Sequence, residues 1–166
     1  MNRFKWGGLS AKGIYLDETV MRMCHTHRRL LAQLALLLTR EGKNDKAKNV
    51  LQKMEKEIPE YNVPMNYIMS NVGNIVEAYN ATGQKGKAKK LLETVWKNST
   101  QYVNWYLSLN GRGFSMSQND CYREFYIMSS VLEDASKIDQ KWVDKHELLL
   151  HKYIDQYQAK GGVMPE

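Results

Sequence analysis

Apolar residues recur along this chain at intervals of three and four positions, which is the spacing of amphipathic α-helices. The clearest example is a row of five leucines at Leu30, Leu31, Leu34, Leu37 and Leu38. We expect this row to face the core from a helix that follows the N-cap residue Asp17 and ends near Arg40, before Gly42. Three more apolar residues widen the row and indicate burial on more than one side: Ala32, Ala35 and Leu36.

The same spacing predicts five further helices, and no stretch alternates convincingly as a β-strand would. Their predicted ranges are about 45–57, 64–82, 85–109, 117–136 and 139–159. Pro64 suits the first position of the third helix, and Ser117 followed by Asp120 resembles a capping box opening the fifth. The predicted fold class is all-α, with three antiparallel hairpins at about 17–58, 64–109 and 117–159.

Outside this helical domain, residues 1–16 and 160–166 are predicted to be an irregular arm and a tail. The arm contains three glycines and three aromatic residues, which we expect to dock on the body: Phe4, Trp6 and Tyr15.

The first two predicted hairpins repeat one another. Gly42 and Gly83 each precede a small residue by five positions, Ala47 and Ala88, and Pro59 closes the first unit. On this alignment Leu31, Leu34, Ala35 and Leu38 match Val72, Ile75, Val76 and Tyr79. The pattern resembles the tetratricopeptide repeat (TPR), in which the alanine lets antiparallel helices approach closely. The hairpins are therefore predicted to stack as a short TPR-like α-solenoid, with the third as a divergent cap.

Length and charge set further bounds. The 166 residues suit one domain, two at most, and 43% hydrophobic with 25% charged residues is an ordinary globular composition. The net charge of +6 favours anionic partners only mildly, and the densest lysine group, at Lys85, Lys87, Lys89 and Lys90, is interpreted as a solvated surface instead of a nucleic-acid site. No run is long enough to span a membrane, and the first residues lack the apolar stretch of a secretion signal.

Several strings in the first two thirds of the chain resemble one family. They are 2–7 (NRFKWG), 15–18 (YLDE), 21–23 (MRM), 41–43 (EGK), 63–67 (VPMNY), 77–79 (EAY) and 106–109 (YLSL). The family is the soluble C-terminal region of multi-pass membrane proteins of Bacteroidetes, which are similar to protein O-mannosyltransferases and have no known function. The resemblance implies an accessory module at the periplasmic face of the inner membrane, with transferase machinery elsewhere in the parent. Without it, a cytoplasmic location is expected.

No catalytic residue, metal site or cofactor is predicted. Cys24, His25 and His27 spread too widely around a helix to bind one ion together. His146 and His151 are five positions apart, whereas the zinc-protease motif needs four. Two cysteines, Cys24 and Cys121, are too few for a disulfide framework, and whether they pair stays open.

The predicted function is a protein–protein interaction or scaffold module, not an enzyme. The partner is predicted to be a protein or peptide, with the membrane part of the same chain as one candidate, and not a nucleic acid. The repeat alignment predicts a binding groove lined by Arg29, Gln33, Leu36, Arg40, Ser70, Asn74, Glu77 and Asn80. An alternative is saccharide binding or a glycosyl-transfer accessory role through an aromatic cluster at Trp96, Tyr102, Trp105 and Tyr106.

Overall fold

A computed structural model describes residues 5–164, and within them the chain forms six α-helices and no β-strand. The helices are α1 (Glu18–Arg40), α2 (Asn44–Glu57), α3 (Val72–Ala81), α4 (Lys85–Ser108), α5 (Gly111–Ser136) and α6 (Gln140–Ala159). The prediction of an all-α chain with six helices is therefore confirmed for the described residues. None of these helices is both long and apolar enough to cross a lipid bilayer.

Two helices begin at the aspartates that the sequence indicated. The Asp17 carboxylate accepts a hydrogen bond from the Val20 backbone N–H at 2.8 Å, and Asp139 accepts one from Trp142 N–H at 3.1 Å. Each aspartate satisfies an N–H group that has no partner within its own helix and places negative charge at the positive end of the helix dipole.

The turns after α1 and α3 have the same hydrogen bonds. Gly42 and Gly83 both adopt a left-handed backbone, with φ of 72° and 77°. The residue after each glycine donates to the carbonyl five positions earlier, Lys43 to Leu38 at 2.8 Å and Gln84 to Tyr79 at 2.7 Å. This is a Schellman-type helix end, which glycine forms without steric cost.

The third and fifth helices do not begin where the sequence predicted. Pro64 lies in an irregular connector, and α3 starts only at Val72, after Asn71 adopts a left-handed φ of 55°. The fifth helix starts at Gly111 and not at Ser117, which is buried inside α5. Tertiary contact overrides the weak helix propensity of this glycine-containing first turn, because Phe114 packs edge-on against Tyr157 with ring centroids 5.7 Å apart.

The chain divides into two compact units, one through Ala88 (unit 1) and one from Lys89 (unit 2). In unit 1, α1 packs against both α2 and α3. Ala32, Ala35 and Ala47 are completely buried in this unit, so the side chains between its helices include small ones. In unit 2, α5 packs against α6 around an aromatic core in which Phe125 meets Tyr157.

The prediction that the leucine row of α1 faces the core is wrong at three of its five positions, whereas the predicted burial of Ala32, Ala35 and Leu36 is confirmed. Leu30, Leu34 and Leu37 are exposed, whereas the buried face of α1 contains Cys24, His25, Arg28, Ala32, Ala35 and Leu36. Both sets of residues have helical spacing. The alanine set faces α2 and α3 because small side chains allow close helix packing.

The arm docks only in part. Trp6, Leu9 and Leu16 pack against a buried cluster that contains Ile58 and Val63. Tyr15 is exposed, contrary to the expectation that it docks. Phe4 lies outside the described residues.

Candidate functional site

The most prominent exposed feature of unit 1 is an apolar row along α1, which we call the α1 ridge. It consists of Val20, Met23, Leu30, Leu34 and Leu37, whose side chains are 36% to 56% exposed. Single exposed apolar residues are common on protein surfaces, but these five lie along one side of α1, with the half-buried His27 between Met23 and Leu30. A strip of this kind is typical of a surface that binds another helix.

The repeat alignment allows the burial of this strip to be compared with that of the matching residues in α3. Leu34 in α1 matches Ile75 in α3, and Leu31 matches Val72. Ile75 and Val72 are completely buried, whereas Leu34 is exposed and Leu31 is half-buried. The first hairpin therefore exposes Leu34 where the second buries Ile75, although Ala35 and its match Val76 are both buried.

The predicted binding groove is realised in part. Arg29, Gln33, Arg40 and Glu77 are exposed, and Arg40 forms an ion pair with Glu77 at 3.5 Å that joins α1 to α3.

Four other predicted groove residues are less accessible. Asn74 and Asn80 are half-buried, and the enclosed Asn80 Oδ1 has no hydrogen-bond partner. Leu36 and Ser70 are buried, so neither side chain is available to a ligand. Leu36 turns inward with the alanine face of α1, and the Ser70 hydroxyl is occupied by internal hydrogen bonds.

A buried arginine that the sequence analysis missed organises the neighbouring connector. The Arg28 guanidinium is completely buried and donates to the carbonyls of Ile58 at 2.8 Å, Val63 at 2.7 Å and Pro64 at 3.3 Å. It also donates to the Ser70 hydroxyl at 3.3 Å. These bonds fix the irregular segment between α2 and α3 to the middle of α1.

The electrostatics of this cluster favour a structural role. Burial lowers the pKa of Arg28 to about 10, an effect that Glu60 partly offsets, so the side chain stays cationic at neutral pH. Burial and the nearby Arg28 charge both lower the pKa of His25, whose Nδ1 lies 2.9 Å from the Ser70 hydroxyl. Burial also raises the pKa of the Cys24 thiol, which makes it a poor nucleophile.

The predicted aromatic cluster is divided between core and surface. Trp96 and Tyr106 are buried, so their rings cannot contact a ligand. Trp96 lies edge-on to Trp142 and His146, at centroid distances of 5.6 and 5.0 Å.

The other two aromatic residues of the cluster are on the surface. Tyr102 and Trp105 are more than half exposed, and the Trp105 ring leans against Tyr106 at 4.9 Å.

Two of the clustered lysines are engaged in ion pairs within their own units. Lys87 pairs with Glu55 at 2.7 Å, and Lys89 pairs with Asp139 at 2.6 Å. Nearby carboxylates thus offset part of the positive charge of this lysine group.

No group of three His, Cys, Asp or Glu side chains within residues 5–164 is arranged to hold a metal ion. Cys24 and Cys121 are both free and buried, and burial raises the pKa of Cys121 to about 12. His146 stacks on Trp142 with ring centroids 3.8 Å apart, and its Nδ1 lies 2.7 Å from the Trp142 carbonyl.

Unit 2 has an open groove of about 370 Å³ between α5 and α6. Its apolar lining residues are Leu132, Val143, Leu150 and Ile154, and Glu133, Glu147 and His151 also line it.

Comparison with known proteins adds no identity. No protein-family model matches this chain, and neither does any curated protein or solved structure. The surfaces described above are therefore the basis for assigning a function to this chain.

Proposed function

We propose that this chain is a helical-repeat module that binds other proteins and has no catalytic activity of its own. The observation that carries this proposal is the α1 ridge, an apolar strip on a helix whose opposite face is fully packed. Five solvent-exposed apolar side chains have a free-energy cost in water that a partner removes by covering them.

The finer proposal is that the first two hairpins are stacked TPR-like repeats. Three observations support it. The turns at Gly42 and Gly83 have the same hydrogen bonds, and five residues after each glycine Ala47 and Ala88 are completely buried. The N–H groups of Ala47 and Ala88 also donate the same kind of bond, to the carbonyls of Lys43 at 3.1 Å and Gln84 at 3.2 Å. The two first helices differ in length, since α1 has 23 residues and α3 has 10.

In this proposal the exposed polar residues beside the ridge select the partner. Arg29, Gln33 and Arg40 on α1 and Glu77 on α3 offer charges of both signs and an amide. A mixed polar edge next to an apolar strip suits a protein or peptide helix that has apolar residues on one face and charges along its flanks.

Charge reversal at this edge tests the proposal. The full chain is immobilised, and the proteins that it retains from an extract of its source are compared with those retained by R29E/E77K. The control is R112E/D155K, which makes the same kinds of change at exposed residues of unit 2. We expect the groove variant, R29E/E77K, to lose at least one protein that the control retains. Retention of every protein by the groove variant and by a ridge variant, L30E/L37E, would contradict the proposal.

We also propose that the module belongs to a larger membrane protein similar to glycosyltransferases, at the periplasmic face of the inner membrane. Only the sequence strings described above support this. Reading the coding frame upstream tests it, because the proposal requires membrane-spanning segments in the same frame. A frame that closes just before this chain would contradict it.

Saccharide binding remains the second candidate because Tyr102 and Trp105 are exposed on the same helix, three positions apart. Exposed aromatic rings of this kind stack on sugar faces. Tryptophan fluorescence titration with a saccharide panel tests it, with W105A as the variant. A response that disappears in W105A would favour this candidate, and no response to any saccharide would remove it.

A further inference from the structure

The α1 ridge has a spacing that is the same in both directions along the helix. The ridge residues and His27 occupy positions 20, 23, 27, 30, 34 and 37, with intervals of three, four, three, four and three. Alternation of three and four is the spacing of the apolar seam in helix pairs. His27 is half-buried beside Trp6, with ring centroids 5.7 Å apart, and the other five positions are exposed.

We propose that the occupant of the α1 ridge is the same ridge of a second copy of this chain, with the two helices antiparallel. This inference depends on the proposed function, because it names the partner of the same surface. In antiparallel order Val20 lies opposite Leu37 of the second copy, and Met23 lies opposite Leu34. In a two-fold interface every contact occurs twice, once from each copy. The spacing of the contacting residues must therefore be the same in both directions along the helix.

The charges at the ends of α1 favour the antiparallel order. Asp17 and Glu18 lie at the N-terminus and Arg40 at the C-terminus. Antiparallel helices bring the acidic end of one copy to Arg40 of the other and align opposite helix dipoles. Parallel helices would instead bring Arg40 next to Arg40.

The edges of the ridge also favour a second copy over an acidic partner or an anionic membrane. Arg22 is paired with Glu18 at 2.6 Å, and Arg40 is paired with Glu77 at 3.5 Å. Two of the arginines beside the ridge thus have carboxylates of the same chain beside them, which leaves less net positive charge for an acidic partner or an anionic membrane. A membrane-binding helix instead has a strongly cationic polar face.

The size of the ridge sets the expected affinity. From Val20 to Leu37 the helix rises about 26 Å, at about 1.5 Å per residue. One helix pair of this length is at the low end of specific interfaces, so we expect a dissociation constant on the order of 10 µM.

Salt separates this inference from its alternatives. Unit 1 has fourteen Lys and Arg against eight Asp and Glu, a net charge of +6, so two copies repel each other. Salt screens both this net repulsion and the two exposed attractions between Arg40 and the acidic end of the other copy, and we expect the repulsion between two +6 units to be the larger, so added salt should tighten the dimer. Binding to an acidic peptide or an anionic vesicle should instead weaken with salt.

Sedimentation velocity on the full chain between 1 and 200 µM gives the first test. We expect a monomer–dimer equilibrium that tightens between 50 and 500 mM NaCl. The L30E/L37E dimer should be at least tenfold weaker, while L148E, which changes a still more exposed leucine of unit 2, should match the unaltered chain. Circular dichroism checks that each variant keeps its helical content. A monomer at 200 µM, or a dimer that L30E/L37E leaves intact, overturns the inference.

Cysteine cross-linking tests the order of the helices. V20C and L37C are oxidised separately and as a mixture, and the unaltered chain, whose two thiols are buried, serves as the control. We expect a cross-linked dimer only in the mixture, because antiparallel helices place like positions about 26 Å apart. Cross-linking of V20C with itself and of L37C with itself would overturn the antiparallel order.

The outcomes also distinguish this inference from the proposed function. If the chain is monomeric and L30E/L37E loses a captured protein, self-association is wrong but the interaction module stands. If the chain is monomeric and L30E/L37E loses binding to phosphatidylserine vesicles, the ridge is a membrane surface and both are wrong. If the chain is monomeric and neither L30E/L37E nor R29E/E77K changes any binding, both are also wrong.

Discussion

The two units of the chain bury opposite charges. Unit 1, with its net charge of +6, encloses the cationic Arg28, which donates to backbone carbonyls of the connector between α2 and α3. Unit 2 has ten basic and ten acidic residues and buries Glu124, whose carboxylate interacts with Ser99. Buried charge is rare in proteins because desolvation is costly, so each unit must offset that cost with hydrogen bonds.

The comparison shows how differently two helical units of similar size are stabilised. Unit 1 packs small residues between helices and fixes its irregular connector with a polar cluster. Unit 2 packs Phe114, Phe125 and Tyr157 against one another. Because α1 turns its alanines and Leu36 inward, Leu30, Leu34 and Leu37 are left for solvent or for a partner.

Truncating the aromatic core of unit 2 should have the largest effect. Phe125 is buried and its ring meets Tyr157 at 5.4 Å, so F125A should cost about 4 kcal/mol of stability. The neighbouring Tyr126 is exposed, and Y126A should change stability by about 0.5 kcal/mol or less. Urea denaturation followed by circular dichroism measures both, and hydrogen exchange should show the lost protection in α5 and α6. Equal effects of F125A and Y126A would contradict this description of unit 2.

Removing the buried cation of unit 1 should have the next largest effect. R28M removes the hydrogen bonds to three carbonyls and leaves these carbonyls buried without that donor. We therefore expect the free energy of unfolding to fall by about 3 kcal/mol. R22M removes an exposed ion pair with Glu18 and should cost about 0.5 kcal/mol or less. Faster hydrogen exchange in residues 58–71 should accompany R28M. If R28M costs no more than R22M, Arg28 does not hold the connector.

The buried acid of unit 2 should give a smaller, pH-dependent effect. Burial raises the pKa of Glu124, although the hydrogen bond with Ser99 opposes the shift. The folded state therefore binds more protons than the unfolded state as pH rises above about 4.5, so Glu124 costs stability at neutral pH. E124Q should stabilise the chain at pH 7 and have little effect at pH 4. Stabilisation of equal size at both pH values would contradict the assignment.

The buried histidine of unit 1 should change stability with pH in the opposite direction to Glu124. Burial and Arg28 lower the pKa of His25, so the folded state binds fewer protons and stability falls as pH decreases below about 6.5. H25Q should reduce that acid sensitivity, as the difference between denaturation midpoints at pH 7.5 and pH 5 measures. Unchanged acid sensitivity in H25Q would show that another group is responsible.

Local signals in the sequence were sufficient for most of the helices. Asp17 and Asp139 cap helices because a short carboxylate bonds the first N–H groups wherever a helix follows. Gly42 lies in the predicted turn because a left-handed residue is needed there.

The face of α1 and the role of Arg28 could not be predicted in this way. Hydropathy favours burying Leu30 over Ala32, but the choice depends on how closely α2 and α3 approach, which one helix does not encode. Arg28 looks like a surface residue because its partners are backbone carbonyls about 30 or more positions away. The predicted binding groove was wrong at Leu36 and Ser70 for the same reason. Leu36 lies on the buried face of α1, and the buried Ser70 hydroxyl accepts a hydrogen bond from Arg28.

Thiol labelling along α1 tests the central claim most directly, because both the interaction module and the dimer need the leucines to face solvent. Single variants L30C, L37C, A32C and A35C are labelled at 1 µM, well below the expected dissociation constant, and the two native thiols give a slow background. The account predicts that L30C and L37C react at nearly the rate of a free thiol, while A32C and A35C stay protected. Fast labelling at positions 32 and 35 with protection at positions 30 and 37 would contradict it.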